Sequence, residues 1–132
     1  LEVDQSAAVI AADARIQFAP VVGAPTTASA PLSARLADRA TERGVTLLGA
    51  DQQGATHVLK GYFSAIADGS ETTVIYVWDV MDPAGNRVHR MQGQARSSSR
   101  GGGWEAVEPA TMEAIANQTV DQLVVWLASV RT

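Results

Sequence analysis

The 132-residue chain contains no cysteine. That absence excludes disulfide staples, thiolate-ligated zinc, iron–sulfur clusters and a cysteine nucleophile. Histidine is almost as scarce, with only His57 and His89. The pair lacks the i,i+4 or His-x-His spacing of a metal motif and has no third ligand, so no metal and no cofactor is expected, and each reads as a partly buried structural imidazole. Ten basic residues, only one of them lysine, are scattered among 14 acidic ones, giving a net charge of −4. Without a basic stripe, no nucleic-acid partner is expected. Apolar runs are a handful of residues long, against the roughly 18 needed for a membrane helix, so membrane association would come only through a lipid anchor upstream of Leu1. A Gly-x-Ser-x-Gly nucleophile elbow is missing, and Gly101-Gly102-Gly103 lacks the preceding buried strand and the following Lys-Ser/Thr of a phosphate cradle. The expectation is therefore a protein that is not an enzyme.

What is present suits one domain: 46% hydrophobic and 18% charged residues are enough for a single core. Leu1 to Ala14 reads as a linker or weak helix, and residues 15–132 as the domain. Period-two alternation through Ile16, Phe18 and Val22 predicts a strand over 15–22, with Pro20 tolerable only at an edge or bulge. Leu32, Leu36 and Ala40 recur at helical spacing behind Ser29, a candidate N-cap, and Gly44 ends that helix as the C′ residue. Its other side, with Arg35, Asp38, Arg39, Glu42 and Arg43, reads as a solvated face carrying i,i+3 ion pairs. A short strand over 45–48 precedes three longer ones, 57–67, 72–81 and 87–95. Turns at Asp68-Gly69-Ser70-Glu71 and Pro83-Ala84-Gly85-Asn86 join these into two hairpins. Residues 97–103, Ser-Ser-Ser-Arg-Gly-Gly-Gly, read as a mobile loop. Pro109 then opens a last helix whose apolar stripe is Met112, Ile115, Ala116, Thr119, Leu123, Trp126, Leu127 and Val130.

Four-residue turns pair Ala67 with Thr72 and Asp82 with Arg87. Leu59, Gly61, Phe63 and Ala65 then share one uncharged face with Val74, Tyr76, Trp78 and Val80, and with His89, Met91, Gly93 and Ala95. Lys60, Asp79 and Arg90 line up in one row on the other face, a carboxylate between two cations. The predicted fold class is α+β: a two-layer sandwich with a mainly antiparallel sheet, two helices on one face and the order β-α-β-β-β-β-α, in which Trp78 and Trp126 meet near the centre. The face away from the helices carries Val58, Tyr62, Ile66, Ile75, Val77 and Met81 around its charged row, too apolar for a face left in water. Lys60, Tyr62, Ile75, Val77, Asp79 and Arg90 are the candidate partner-binding residues. The candidate occupants are the segment around Val3 to Ile10, a second copy or another protein.

The stretch Ala55-Thr56-His57-Val58-Leu59-Lys60-Gly61-Tyr62-Phe63, followed by Val77-Trp78-Asp79-Val80-Met81-Asp82-Pro83-Ala84-Gly85-Asn86-Arg87-Val88, resembles the strand meander of bacterial envelope lipoproteins. Such families include those of the curli-secretion lipoprotein CsgG, the penicillin-binding-protein activator LpoB and the amino-terminal domain of TolB. It also looks like exported proteins of alphaproteobacteria. His57 stands where those families usually carry an aromatic residue. The resemblance implies a lipid-anchored protein of the periplasm or outer membrane that binds an envelope protein, or itself, and brings no catalytic residue with it. The alternative is a small ligand-binding or enzymatic domain with its site under the Ser97 to Gly103 loop.

Overall fold

A computed structural model describes residues 13–98 and 102–130. The elements run β1 (Arg15–Phe18), α1 (Thr26–Glu42), β2 (Thr46–Leu47), β3 (His57–Asp68), β4 (Glu71–Met81), β5 (Arg87–Ser97), a 3-10 turn (Gly103–Ala106) and α2 (Pro109–Ser129). The strands form one five-stranded sheet in the order β2-β1-β3-β4-β5. β1 pairs in parallel with both β2 and β3, while β3, β4 and β5 form an antiparallel meander. Both helices lie on one face, which makes this the α+β sandwich that the periodicities predict. No helix among the described residues is long and apolar enough to cross a membrane.

The core is the layer between helices and sheet. Leu32, Leu36 and Ala40 of α1 and Met112, Ile115, Ala116, Val120, Leu123 and Leu127 of α2 close over Ile16, Leu59, Phe63, Val74, Tyr76, Trp78 and Val80. Val120 joins the predicted stripe of α2. Val130 leaves it, because the helix ends at Ser129 and Val130 is exposed. Trp78 is fully buried, with the rings of Phe18 and Phe63 edge-on at 5.2 and 5.4 Å, and its Nε1 donates to Thr119 Oγ1 at 3.0 Å. The large rings of β4 find room because their cross-strand partners are glycines. Gly61 faces Trp78 and Gly93 faces Tyr76, and a Cβ at either would lie within 2.6 Å of the ring or its hydroxyl.

Several local expectations are corrected. α1 starts at Thr26 behind Pro25, so Ser29 is not the cap; its hydroxyl donates back to the Thr26 carbonyl inside the first turn. Pro31 consequently sits within the helix near its start. Gly44, at φ +72°, does end it. β1 stops at Phe18, and Val22 rejoins the sheet as an isolated bridge to Tyr62. The three residues between Phe18 and Val22 lie against the two between Leu59 and Tyr62, so Pro20 lies in a bulge, and the extra residue moves Val22 from the helix side to the open face. The first hairpin has a two-residue loop rather than four: Asp68 pairs with Glu71, and Gly69 at φ +64° followed by a negative-φ Ser70 is the arrangement that continues strand twist.

The second hairpin has a three-residue loop. Asp82 N donates to the Asn86 carbonyl, the Asp82 carboxylate accepts from the amides of Ala84 and Asn86, and Gly85 takes φ +87°. That turn sets Met81 against Arg87, and the ladder recovers the predicted Val80–His89 pairing through a bulge at Val88. The bulge puts Arg87 on the open face; the predicted Asp82–Arg87 pairing would have aimed a cation at the core side. β5 extends past Ala95 to Ser97, which is buried. Its hydroxyl donates to the Ala106 carbonyl at 3.0 Å and accepts the Glu108 amide at 3.2 Å, tying the strand end to the start of α2. Ser97 thus belongs to the framework rather than to the loop, and residues 99–101 lie outside the described residues. So does the 1–14 linker apart from Asp13 and the buried Ala14.

Candidate functional site

The central row of the open face has the predicted register: Lys60 stands opposite Asp79, and Asp79 opposite Arg90. Arg90 grips Asp79 with two bonds, Nε to Oδ1 at 2.7 Å and Nη2 to Oδ2 at 3.1 Å. Arg87, brought to this side by the bulge, reaches the same carboxylate at 3.9 Å. Lys60 acts on it only through its charge. The Arg90 hydrogen bonds hold the Asp79 carboxyl below its ordinary range against the opposing effect of partial burial, with Arg87 and Lys60 adding to the lowering. The same pairing raises the Arg90 guanidinium. A carboxylate gripped by two bonds from Arg90, with Arg87 at its margin, is a fixed polar anchor.

Beside this anchor lies an apolar strip. Tyr62 is 43% exposed, Ile66 50% and Ile75 38%, fractions that buried residues never show. Tyr62 pairs with Val77, and Ile75 with Ser64, so Tyr62, Ile75, Val77 and Ile66 form a diagonal patch across β3 and β4. Val22 extends the patch on the β1 side and is itself exposed. The alternation that placed Val22 inward was reading through a bulge; Pro20 is the signal that could have reversed it. The six candidate residues therefore share one surface, with Tyr62, Ile75 and Val77 in the apolar part and Lys60, Asp79 and Arg90 in the charged row. Nothing among the described residues lies over them.

Elsewhere the reading of side chains changes. The arginines of α1 are not merely solvated: Arg35 donates to Asn117 at 2.6 Å, and Arg39 and Arg43 bond Asp121 at 2.9 and 2.6 Å, so they clamp α1 to α2 while Arg39 also makes its i,i+3 pair with Glu42. Asn117 and Asp121, one turn apart on α2, were the available clue. Trp126 does not meet Trp78. It stacks on His89 with ring centroids 4.9 Å apart and meets His57 edge-on at 5.5 Å, at the end of the sheet. Burial lowers the pKa of both imidazoles, the nearby Asp82 opposing this at His57. Concavities of about 850, 320 and 310 Å³ are lined by described residues outside 97–103.

No protein-family model matches the chain, and no curated protein matches it either. Among solved structures it is similar to a Caulobacter crescentus protein provisionally classed as a lipoprotein, with a TM-score of 0.51 and 13% identity over 98% of this chain and 94% of that one. Lipoprotein GNA1162 from Neisseria meningitidis is similar at a TM-score of 0.48 and 14% identity, over 83% of this chain and 96% of that one. The PelC dodecamer from Paraburkholderia phytofirmans is similar at a TM-score of 0.48 and 16% identity, over 89% and 91%. At such identities the Caulobacter match establishes a shared fold.

Proposed function

We propose that this chain is a non-catalytic protein-binding domain of the bacterial cell envelope, lipid-anchored in the periplasm or at the outer membrane, and that its partner sits on the open sheet face. The observation that carries this reading is the face itself. An antiparallel sheet with one side in water ordinarily alternates polar residues outward, whereas here Tyr62, Ile66, Ile75 and Val22 stand exposed together beside a rigid Asp79–Arg90 pair. Apolar centre and charged rim are the anatomy of an interface. The envelope assignment rests on the meander resemblance around residues 55–88 and on the fold shared with the Caulobacter protein; membership of the CsgG, LpoB or TolB families is part of the proposal.

The test is site-specific photocrosslinking in the bacterium that makes the protein. A photoreactive phenylalanine analogue at position 62 or 75 is expected to give a discrete protein adduct, whether with another envelope protein or with a second copy. The same analogue at Asp38, exposed on α1, gives none. Ile75→Glu introduced beside the position 62 probe abolishes the adduct without altering the circular dichroism of the fold. Adducts equally abundant at position 38, or none at 62 and 75, would reject the face as a binding site.

A further inference from the structure

The outer edge of the sheet and the flank of α2 above it form a second surface, separate from the open face. β5 is 11 residues long and pairs only with β4, so the backbone groups on its outer side have no strand partner among the described residues. Edge strands are normally closed off by proline, by a central bulge, by charged side chains along the edge or by an inward-pointing charge. β5 has no proline, its bulge falls at its first residues, and His89, Met91, Gly93 and Ala95 on its helix side carry no formal charge. Its charges all sit on the open side. Arg87, Arg90 and Arg96 are three of the ten basic residues of a chain whose net charge is −4, and β5 has no acidic residue. Asp79 and Glu71 approach Arg90 and Arg96 only from β4, leaving those side chains 46% and 69% exposed.

Above the helix side of this edge runs the groove of about 850 Å³, between His89 and the α2 residues Gln118, Gln122, Val125 and Trp126. Val125 is 68% exposed, and the buried Oε1 of Gln122 has no hydrogen-bond partner. We infer that β5 accepts an added strand from a partner protein: an extended segment in which acidic side chains alternate with apolar ones. Period two makes the two requirements compatible. Side chains on the open side of such a strand lie beside Arg90 and Arg96, where carboxylates are favoured, and the alternate ones turn toward α2, those near His89 entering the groove at Val125 and Trp126. A second copy of β5 is a poor occupant. Antiparallel self-pairing about Gly93 sets Arg90 of each copy opposite Arg96 of the other, and pairing about Gln92 leaves them diagonal, so like charges meet in both.

A fluorescein-labelled, end-capped peptide Leu-Glu-Val-Glu-Leu-Glu-Val titrated into the purified chain tests this directly. It is expected to bind about tenfold or more tighter than its counterpart with lysine for each glutamate, the worth of one or two charge pairs. Backbone N-methylation at alternate residues, which removes strand hydrogen bonds while keeping every side chain, lowers affinity about tenfold. Alternate amides of residues 87–97 exchange more slowly in the complex. Arg96→Glu, at an exposed side chain that leaves the Asp79–Arg90 pair intact, weakens the acidic peptide and strengthens the lysine one. No binding, equal binding of the two peptides, indifference to N-methylation, or protection on β3 instead of β5 would each overturn the inference.

Discussion

Adding one methyl group to Gly61 tests the packing of the core more sharply than removing any side chain. An alanine Cβ at this position would lie 2.6, 2.8 and 2.9 Å from three ring carbons of Trp78. The indole cannot give way cheaply: it is fully buried, boxed in by the edge-on rings of Phe18 and Phe63, and held by its bond to Thr119. Overpacking a filled core costs about 1 to 3 kcal/mol. Pulling Nε1 off Thr119 leaves a buried donor unpaired, at about 1 to 3 kcal/mol more. Replacing glycine in a strand returns roughly 0.5 to 1 kcal/mol of backbone entropy. A net loss of about 2 to 4 kcal/mol follows, or roughly 10 °C in Tm for a chain of this length. Gly93→Ala is the matched control. Its Cβ meets the hydroxyl end of Tyr76, a buried phenol whose hydrogen-bond partner is the exposed and adjustable Gln118 side chain, so about 1 to 2 kcal/mol is expected. Urea unfolding followed by tryptophan fluorescence, with near-ultraviolet circular dichroism reporting the indole environment, measures both. A Gly61→Ala protein within about 0.5 kcal/mol of the parent, or a larger loss at Gly93, would refute rings stacked over glycines.

Three further outcomes follow from the same geometry. Trp126→Ala, removing a half-buried ring stacked on His89, should cost about 2 to 3 kcal/mol, and Asp79→Ala within about 1 kcal/mol; urea midpoints in the reverse order would contradict the assigned burial. Ser97→Ala should destabilise by about 1 to 2 kcal/mol because it frees the Glu108 amide, whereas deleting Arg100 and Gly101 should leave Tm nearly unchanged; equal effects would deny Ser97 its linking role. Because burial depresses the pKa of His57 and His89 in the folded state, stability should be complete above the unfolded value of about 6.5 and decline as the pH falls through the lower folded values. The His57→Gln, His89→Gln double variant should flatten that decline between pH 7 and 5 in thermal melts, and an unchanged slope would assign the loss to other groups.

The meander was legible because strand periodicity is strict: Phe63, Tyr76 and Trp78 on one parity and Lys60, Asp79 and Arg90 on the other leave one register that separates core from charge. Helix ends were legible where a single residue dictates them, as Gly44 and Pro109 do. What escaped was decided by backbone hydrogen bonds that side-chain patterns do not record. Asp82 closes its turn one residue earlier than the composition suggests, which creates the bulge at Val88 and delivers Arg87 to Asp79. The bulge at Pro20 likewise sends Val22 outward and adds it to the candidate site. Which side chains meet between the helices was hinted at only by the spacing of Asn117 and Asp121: Arg39 and Asp121 are 82 residues apart, and although both helices are expected on one sheet face, nothing local to either residue names its partner. Trp126 belonged to the right stripe but one turn too far along α2 to reach the centre of the sheet.

The claim on which the functional reading rests is that the open face is covered when the protein is at work. Hydroxyl-radical footprinting compares the two situations directly, in intact cells and on the dilute purified chain, by reading oxidation at Tyr62 and Ile75 against the exposed Val130, which lies on neither proposed surface, as reference. The account predicts that Tyr62 and Ile75 react freely in the purified chain and are protected several-fold in cells. Equal reactivity of both residues in the two states, with the reference unchanged, would contradict it.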